Sequence, residues 1–366
     1  HKALCMSEIT SHHLHNVYTP RGAQVRDALD WAAQIHESIE LFGERLEVQF
    51  ASHHWPIWGQ AEVVEYLAKQ RDLYKFIHDQ TLRLANLGYN KEEIAEQLKL
   101  PDSLAQEFYN RDYYGTVHHN ARAVYVKYLG YFDGNPATLY KRPQVDAAER
   151  YVAFMGGADS VVEKARACYE EGDYRWVAEV LNHVVMSEPQ HIEGRALLAD
   201  TFEQLGYQCE SAPWRNFYLC GTLELREGLP EGSTFQASAG MAASIPLDNL
   251  FQTMAVRLNA DRVAGVSLSI NLDFSDAPPT LLTIDNSVLH AFVGQRSDAA
   301  DAAVVTDSIS FKLLMVGATT AAELMTTGKL SVSGEVMTLA QLGGYFDQFE
   351  RRYPLVTPRK DWRTSE

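Results

Sequence analysis

The sequence predicts a multidomain protein of mixed class, with an α/β front, an all-helical middle and an α+β end. Three observations carry that prediction. The first is length: 366 residues, at a typical ~100–200 residues per domain, make two or three domains with ordinary cores. The second is periodicity, which is almost wholly helical from about Gln60 to Gly228 and turns to alternation beyond Val266. The third is the break Gly228-Leu229-Pro230-Glu231-Gly232-Ser233, the best domain boundary in the chain. Hydrophobic residues at 46% and charged residues at 22% fit a globular chain rather than a disordered one.

Taken in order, Val25, Leu29, Ala32, Ile35, Ile39 and Leu41 keep roughly helical spacing between Gly22 and Gly43, where glycine supplies a stop. Leu46–Ala51 alternates as a half-buried strand and ends in Ser52-His53-His54-Trp55-Pro56, placing two histidines in the loop after it. Gln60–Leu87 reads as one long amphipathic helix stopped at Gly88. Gly172-Asp173-Tyr174 through Leu181, Glu188-Pro189 and Ala196–Gly206 resemble a tetratricopeptide helical hairpin, which needs neighbouring helices or a second subunit to cover its apolar face. Past the break come a helix (Leu247–Leu258) and strands at Val266–Phe274, Thr280–Asp285, Val288–Val293 and Ala303–Ser308. Helices at Ser310–Val316, Thr320–Thr326 and Leu339–Tyr353 follow, a pattern of a sheet with one face covered.

Composition excludes several functions. A net charge of −16 opposes phosphate-backbone binding, so no nucleic-acid partner is expected. The segment Asn90–Gln106 mimics a helix-turn-helix, and with this charge it reads as two packed structural helices. No window of ~18 apolar residues offers a membrane span. Four cysteines build no disulfide framework; Cys209 and Cys220 can pair if adjacent, but buried free thiols are the expectation. G-x-S-x-G, G-x-x-x-x-G-K-[ST], G-x-G-x-x-G and H-E-x-x-H are all absent, which removes most serine-hydrolase, nucleotide and dinucleotide readings.

What remains is a histidine-rich front, with ten of the 13 histidines in residues 1–119. His13-Leu14-His15 has zinc-ligand spacing, but no further ligand follows, so a polar loop beside a site is the favoured reading. Two segments point further: Cys5-Met6-Ser7-Glu8 with His15-Asn16 and Tyr18–Ala28, and Phe50-Ala51-Ser52-His53-His54-Trp55-Pro56-Ile57-Trp58-Gly59. Asp112–Thr116, His119–Tyr125 and Gly130–Pro136 accompany them. Together these segments resemble zinc-dependent alkyl sulfatases, a branch of the metallo-β-lactamase superfamily, and the resemblance runs through nearly the whole chain. It implies part of an αββα metallo-β-lactamase-like catalytic domain at 1–88, an all-helical, tetratricopeptide-like dimerisation domain at 89–230 and a sterol-carrier-protein-like α+β domain at 235–366. The family's H-x-H-x-D-H metal motif does not occur here. With a start at His1 lacking an initiator Met, the chain is expected to be the C-terminal portion of such an enzyme and inactive alone.

The resemblance implies residue roles. Glu8 and His53 match metal ligands of a site holding two zincs, which would lower the pKa of a water for attack on a sulfate ester. Asn16 and Arg21 match sulfate contacts, a neutral donor beside a planar guanidinium fork. Family members that invert secondary sulfates carry His at the place of Asn16, so the resemblance leans towards primary alkyl sulfates such as dodecyl sulfate. His119 matches a residue able to transfer a proton, and Tyr131 one able to hydrogen-bond the sulfate, although both can equally brace the helical domain. The implied partners are an alkyl sulfate and a second copy of the chain; exported relatives would put the protein in the periplasm or outside the cell. Met241, Leu250, Met254, Leu313, Leu314, Met315 and Met337 can line a lipid tunnel or form an ordinary core, and the core is expected. Two other readings stay open: a non-catalytic lipid-binding and dimerisation protein, and a metallo-β-lactamase-type hydrolase of another ester.

Overall fold

The structure is a computed structural model in which residues 2–231, 239–335, 341–349 and 352–359 are described. The chain divides into two compact units, residues 1–229 with 354–366, and residues 230–353.

The first unit opens with a small βαβ layer. Strand β1 (Ala3–Cys5) crosses through helix α1 (Ala28–Phe42) to β2 (Val48–Phe50), which lies parallel to β1 with Ala3 opposite Val48. Strand β3 (Ile57–Trp58) closes the sheet antiparallel to β2. This is the α/β front the sequence predicts; a full αββα sandwich is not present among the described residues. Helix α1 begins three residues after Val25, where its apolar spacing starts. The Asp27 carboxylate accepts from the backbone N–H groups of Leu29 and Asp30 and so fixes the start. At its other end Gly43 has φ −52° and continues into a 3₁₀ turn rather than acting as a left-handed stop.

Helix α2 (Gln60–Asn86) matches its prediction to within one residue, and Gly88, at φ +94°, turns the chain after it. Helices α3 (Lys91–Gln97) and α4 (Asp102–Ala105) are structural, as expected: Asn90 and Glu93 form a capping box, and Ile94 is fully buried. Helix α5 (Val117–Leu129) follows. One core joins α1, α2, α3 and α5 through Trp31, Ile35, Leu67, Tyr74, Ile77, Ile94, Ala121 and Val124. The expected boundary at residue 88 therefore cuts through a continuous core. Beyond it follow α6 (Pro136–Leu139), α7 (Gln144–Phe154), α8 (Ala158–Glu170), α9 (Tyr174–Ser187), α10 (Ile192–Gln208) and α11 (Ala212–Glu227), with α7, α8 and α10 packed around α9 and α11 packed on α10. A second core of Val152, Val161, Val177, Leu181, Val184 and Leu198 runs between them.

The second unit contains α12 (Ala239–Ser244), α13 (Leu247–Arg257), strands β4 (Leu268–Phe274), β5 (Thr280–Asp285), β6 (Val288–Val293) and β7 (Ala302–Thr306), helices α14 (Ser308–Met315) and α15 (Ala321–Thr326), and β8 (Leu330–Gly334). The strand order is β6-β5-β4-β7-β8, antiparallel except for the parallel β4–β7 pair. Leu250, Phe251 and Met254 of α13 and Phe311 of α14 join its core with Ile270, Leu282 and Ile284, giving the expected α+β layering. Leu250 and Met254 are thus core residues, with Leu314 and Met315 packed against them. Met241 is exposed, Leu313 is half-buried, and Met337 lies outside the described residues.

The expected final helix is shorter than its pattern suggests. Among the described residues Gln341 and Leu342 are helical, Gly343–Tyr345 make a 3₁₀ turn, and Phe346 then bridges to Leu258 in extended form. Two adjacent glycines weaken a helix there, and the bridge fixes the alternative. The described residues 354–359 then belong to the first unit, not to the α+β unit as the 235–366 assignment implied. Cys209 and Cys220 are free, as expected, but Cys220 is exposed rather than buried.

Candidate active site

The site is built on one segment, His12–Arg21, threaded between α2 and α5. Its backbone is held by side chains from both helices. The hydroxyl of Tyr66 accepts from His12 N–H at 2.7 Å, and that of Tyr74 from His15 N–H at 3.0 Å. From α5, Asn120 donates to the His15 carbonyl and accepts from Val17 N–H, both at 2.8 Å. Gly115 donates to the Leu14 carbonyl at 2.7 Å, and a Cβ at that position would stand 2.5 Å from the His15 carbonyl oxygen.

With the backbone satisfied, the side chains are left over for other work. Glu8 and His53 meet as the resemblance implies. His53 Nε2 donates to Glu8 Oε1 at 2.9 Å, and that hydrogen bond, ahead of burial, holds the Glu8 carboxyl below its ordinary range. His53 adopts φ +73°, an uncommon backbone state for a residue with a Cβ and one that concentrates at functional positions. His15 Nε2 lies 3.7 Å from the second Glu8 oxygen, while Arg26 reaches its Nδ1 at 3.2 Å and the Asn16 carbonyl at 2.7 Å. His13 packs against His15, His53 and Tyr114, and its Nε2 is buried without a partner among the described residues. Burial lowers His15 and takes His13 down to about 4, so His13 is neutral near pH 7. A cavity of about 350 Å³ lies beside this group, lined by Glu8, His15, Arg26, Asp27 and Trp31 among others.

Zinc chemistry fits the donors but not yet their number. A carboxylate and an imidazole, half exposed and in contact, are ordinary zinc ligands, and a cation would displace the proton they share. Zinc asks for about four ligands, and among the described residues no group of three or more His, Cys, Asp or Glu side chains is arranged to hold a metal.

Asn16 and Arg21 line a second cavity, also about 350 Å³, with Thr19, Pro20, Tyr114, Pro213, Asn216, Phe217, Cys220 and Leu355. Asn16 is 1% exposed, yet both its amide atoms lack a hydrogen-bond partner among the described residues. A buried orphan of this kind costs about 1–3 kcal/mol unless something binds it. Arg21 is exposed and forms no ion pair among the described residues. Tyr114 lines this second cavity, and its ring packs against both His13 and His15.

The other two expected residues do not join them. His119, expected to transfer a proton, lines neither cavity. Its Nε2 is 2.8 Å from the Tyr18 carbonyl and its ring stacks on Tyr18, which makes it a brace for the segment that carries Asn16 and Arg21. Tyr131, expected on the sulfate, is 80% exposed beyond the end of α5 and also lines neither. Sequence reasoning passed over Asn120 and Tyr74. The His119–Tyr125 segment contains Asn120, but only its contacts show its use.

The fold and site together define a class. The sequence model for alkyl sulfatase dimerisation matches residues 90–228, and that for the alkyl sulfatase C-terminal region matches residues 236–358. The chain belongs to the alkyl sulfatase family. Among its relatives, a linear primary-alkylsulfatase of Pseudomonas sp. is 46% identical over 98% of this chain and 53% of its own length. An alkyl/aryl-sulfatase of Saccharomyces cerevisiae is 41% identical over 98% of this chain and 55% of its own. The solved structure of the stereoselective inverting sec-alkylsulfatase of Pseudomonas sp. superposes with a TM-score of 0.92 at 39% identity, over 98% of this chain and 56% of that one. The chain spans about half the length of the curated relatives it matches.

Proposed function

We propose that this chain is the C-terminal portion of an alkyl sulfatase that hydrolyses alkyl sulfate esters, primary ones such as dodecyl sulfate above all, to alcohol and sulfate. The observation that carries the reading is the second cavity, with the cation of Arg21 and the unpartnered Asn16 amide among otherwise largely apolar walls. The ligand chemistry complementary to it is an anionic oxyanion head on an apolar tail. Arg21 offers two parallel N–H groups to two sulfate oxygens, and Asn16 supplies a third donor. His119 holds Tyr18, and so the loop between those two contacts. Zinc bound at Glu8 and His53, with further ligands from outside this chain, would supply the activated water. The neighbouring Arg26 and buried neutral His15 shape the surroundings of that pair.

The helical domain is read as a homodimerisation domain, in keeping with its family description. The five-stranded α+β unit is read as sterol-carrier-protein-like, with its Leu and Met side chains as core rather than tunnel.

The test is direct. With zinc added, the 366-residue chain should not turn over dodecyl sulfate, whereas a protein that extends upstream through an H-x-H-x-D-H motif should. In that longer protein Glu8→Ala and His53→Ala should each lower zinc stoichiometry. Turnover by the 366-residue chain, or unchanged zinc content in both variants, refutes the reading.

A further inference from the structure

Helix α11 presents Pro213, Asn216, Phe217 and Cys220 to the second cavity, the i, i+3, i+4, i+7 stripe of one helix face. One turn further along that stripe stands Glu224, a carboxylate only 6% exposed. Its partners come from the far end of the chain. Oε2 accepts from Leu355 N–H at 2.8 Å; Oε1 accepts from Val356 N–H at 3.1 Å, Thr357 N–H at 3.0 Å and the Thr357 hydroxyl at 2.7 Å. These are charge-assisted bonds from three successive backbone amides, a concave arrangement of N–H groups of the kind that holds anions firmly. Val356 packs against the second helical core and sits 3.3 Å from where a Cβ of Gly221 would be, so the segment lies close against the helix. The residue this arrangement leaves pointing outward is Leu355, 56% exposed, which lines the cavity together with Asn16 and Arg21.

We propose that residues 354–357 form a strap latched by Glu224, and that the latch places Leu355 opposite Phe217 to bind the alkyl tail of a ligand whose sulfate Arg21 and Asn16 hold. Glu224 is a positioning residue in this scheme; Leu355 and Phe217 set specificity for the tail. A carboxylate is too costly to bury without full hydrogen bonding, and the bonds made here all serve to fix the backbone around one exposed leucine. A leucine more than half exposed beside an apolar ring and the Arg21 guanidinium is placed to lose water when an amphiphile enters.

The proposal rests on the sulfate reading of Arg21, so the probes separate head from tail. Octyl sulfate below its micelle concentration and inorganic sulfate are titrated calorimetrically into the 366-residue chain. Leu355→Ala should weaken octyl sulfate about fivefold, in line with the apolar area removed, and leave inorganic sulfate unchanged. Glu224→Gln keeps the size of the side chain, and should speed hydrogen exchange at Leu355, Val356 and Thr357 while weakening octyl sulfate in the same direction. Thr357→Val, which removes one of the four bonds, should do both to a smaller degree and guards against misfolding of the first variant. Octyl sulfate affinity equal to wild type in Leu355→Ala, or unchanged when the strap amides exchange faster, overturns the latch. Inorganic sulfate binding that is indifferent to Arg21→Ala overturns the sulfate reading instead, whatever Leu355 reports.

Discussion

Asn120 shows how much one buried amide can organise. It satisfies the carbonyl of His15 and the N–H of Val17 at once, 105 and 103 residues away in sequence. Asn120→Ala strands both groups, and urea denaturation should show a loss of about 2–4 kcal/mol. Asp112 makes the opposite case. Burial, reinforced by Glu210, raises its carboxyl to about 6, although Val117 N–H donates to it. A folded-state pKa above the unfolded value of 3.8 means the native state prefers the protonated acid. Stability from this residue is therefore present at pH 4, declines as pH rises towards 6, and stays low above that. Asp112→Asn should raise Tm at pH 8, by at most about 3 kcal/mol in free energy, and should give no difference near pH 4. Neither residue could be read from the sequence as more than part of a motif, because each is defined by a partner or a degree of burial that local pattern does not encode.

At the scale of elements, the local signals served well where the chain is regular. The apolar spacing of α2, and the alternation of β5 and β6, reproduced their limits almost residue for residue. They misled where two glycines interrupt a helical pattern before Tyr345, and they missed the short strand β8. Close approach is equally invisible to periodicity. Gly115 is needed because the His15 carbonyl lies where its Cβ would be, not because of its backbone angles. Gly115→Ala should cost about 1–3 kcal/mol, measured by thermal unfolding. It should also weaken inorganic sulfate, since the displaced segment carries Asn16. Tyr140, four residues before helix α7, is 98% exposed, and Phe154, the last residue of that helix, is 94% exposed. If these residues make the homodimer, Tyr140→Ser and Phe154→Ser should each weaken association about tenfold or more in sedimentation equilibrium, as loss of a buried aromatic demands.

For the whole molecule, sequence by itself determined the class of each region and the break near Gly228. These follow from composition and from the period of apolar residues, which are written locally along the chain; the pairing of Glu8 with His53 came from the resemblance of their motifs to a known family. Tertiary structure alone decided that the first 88 residues share a core with α3 and α5, and that Asn16 is buried without a partner. It also decided that His119 braces a loop, that Tyr131 stands in solvent, and that the chain's end comes back to Glu224. The physical reason is the same throughout. Burial and hydrogen-bond satisfaction depend on which groups more than a hundred residues apart are brought together by packing, and no periodicity in a linear sequence carries that information.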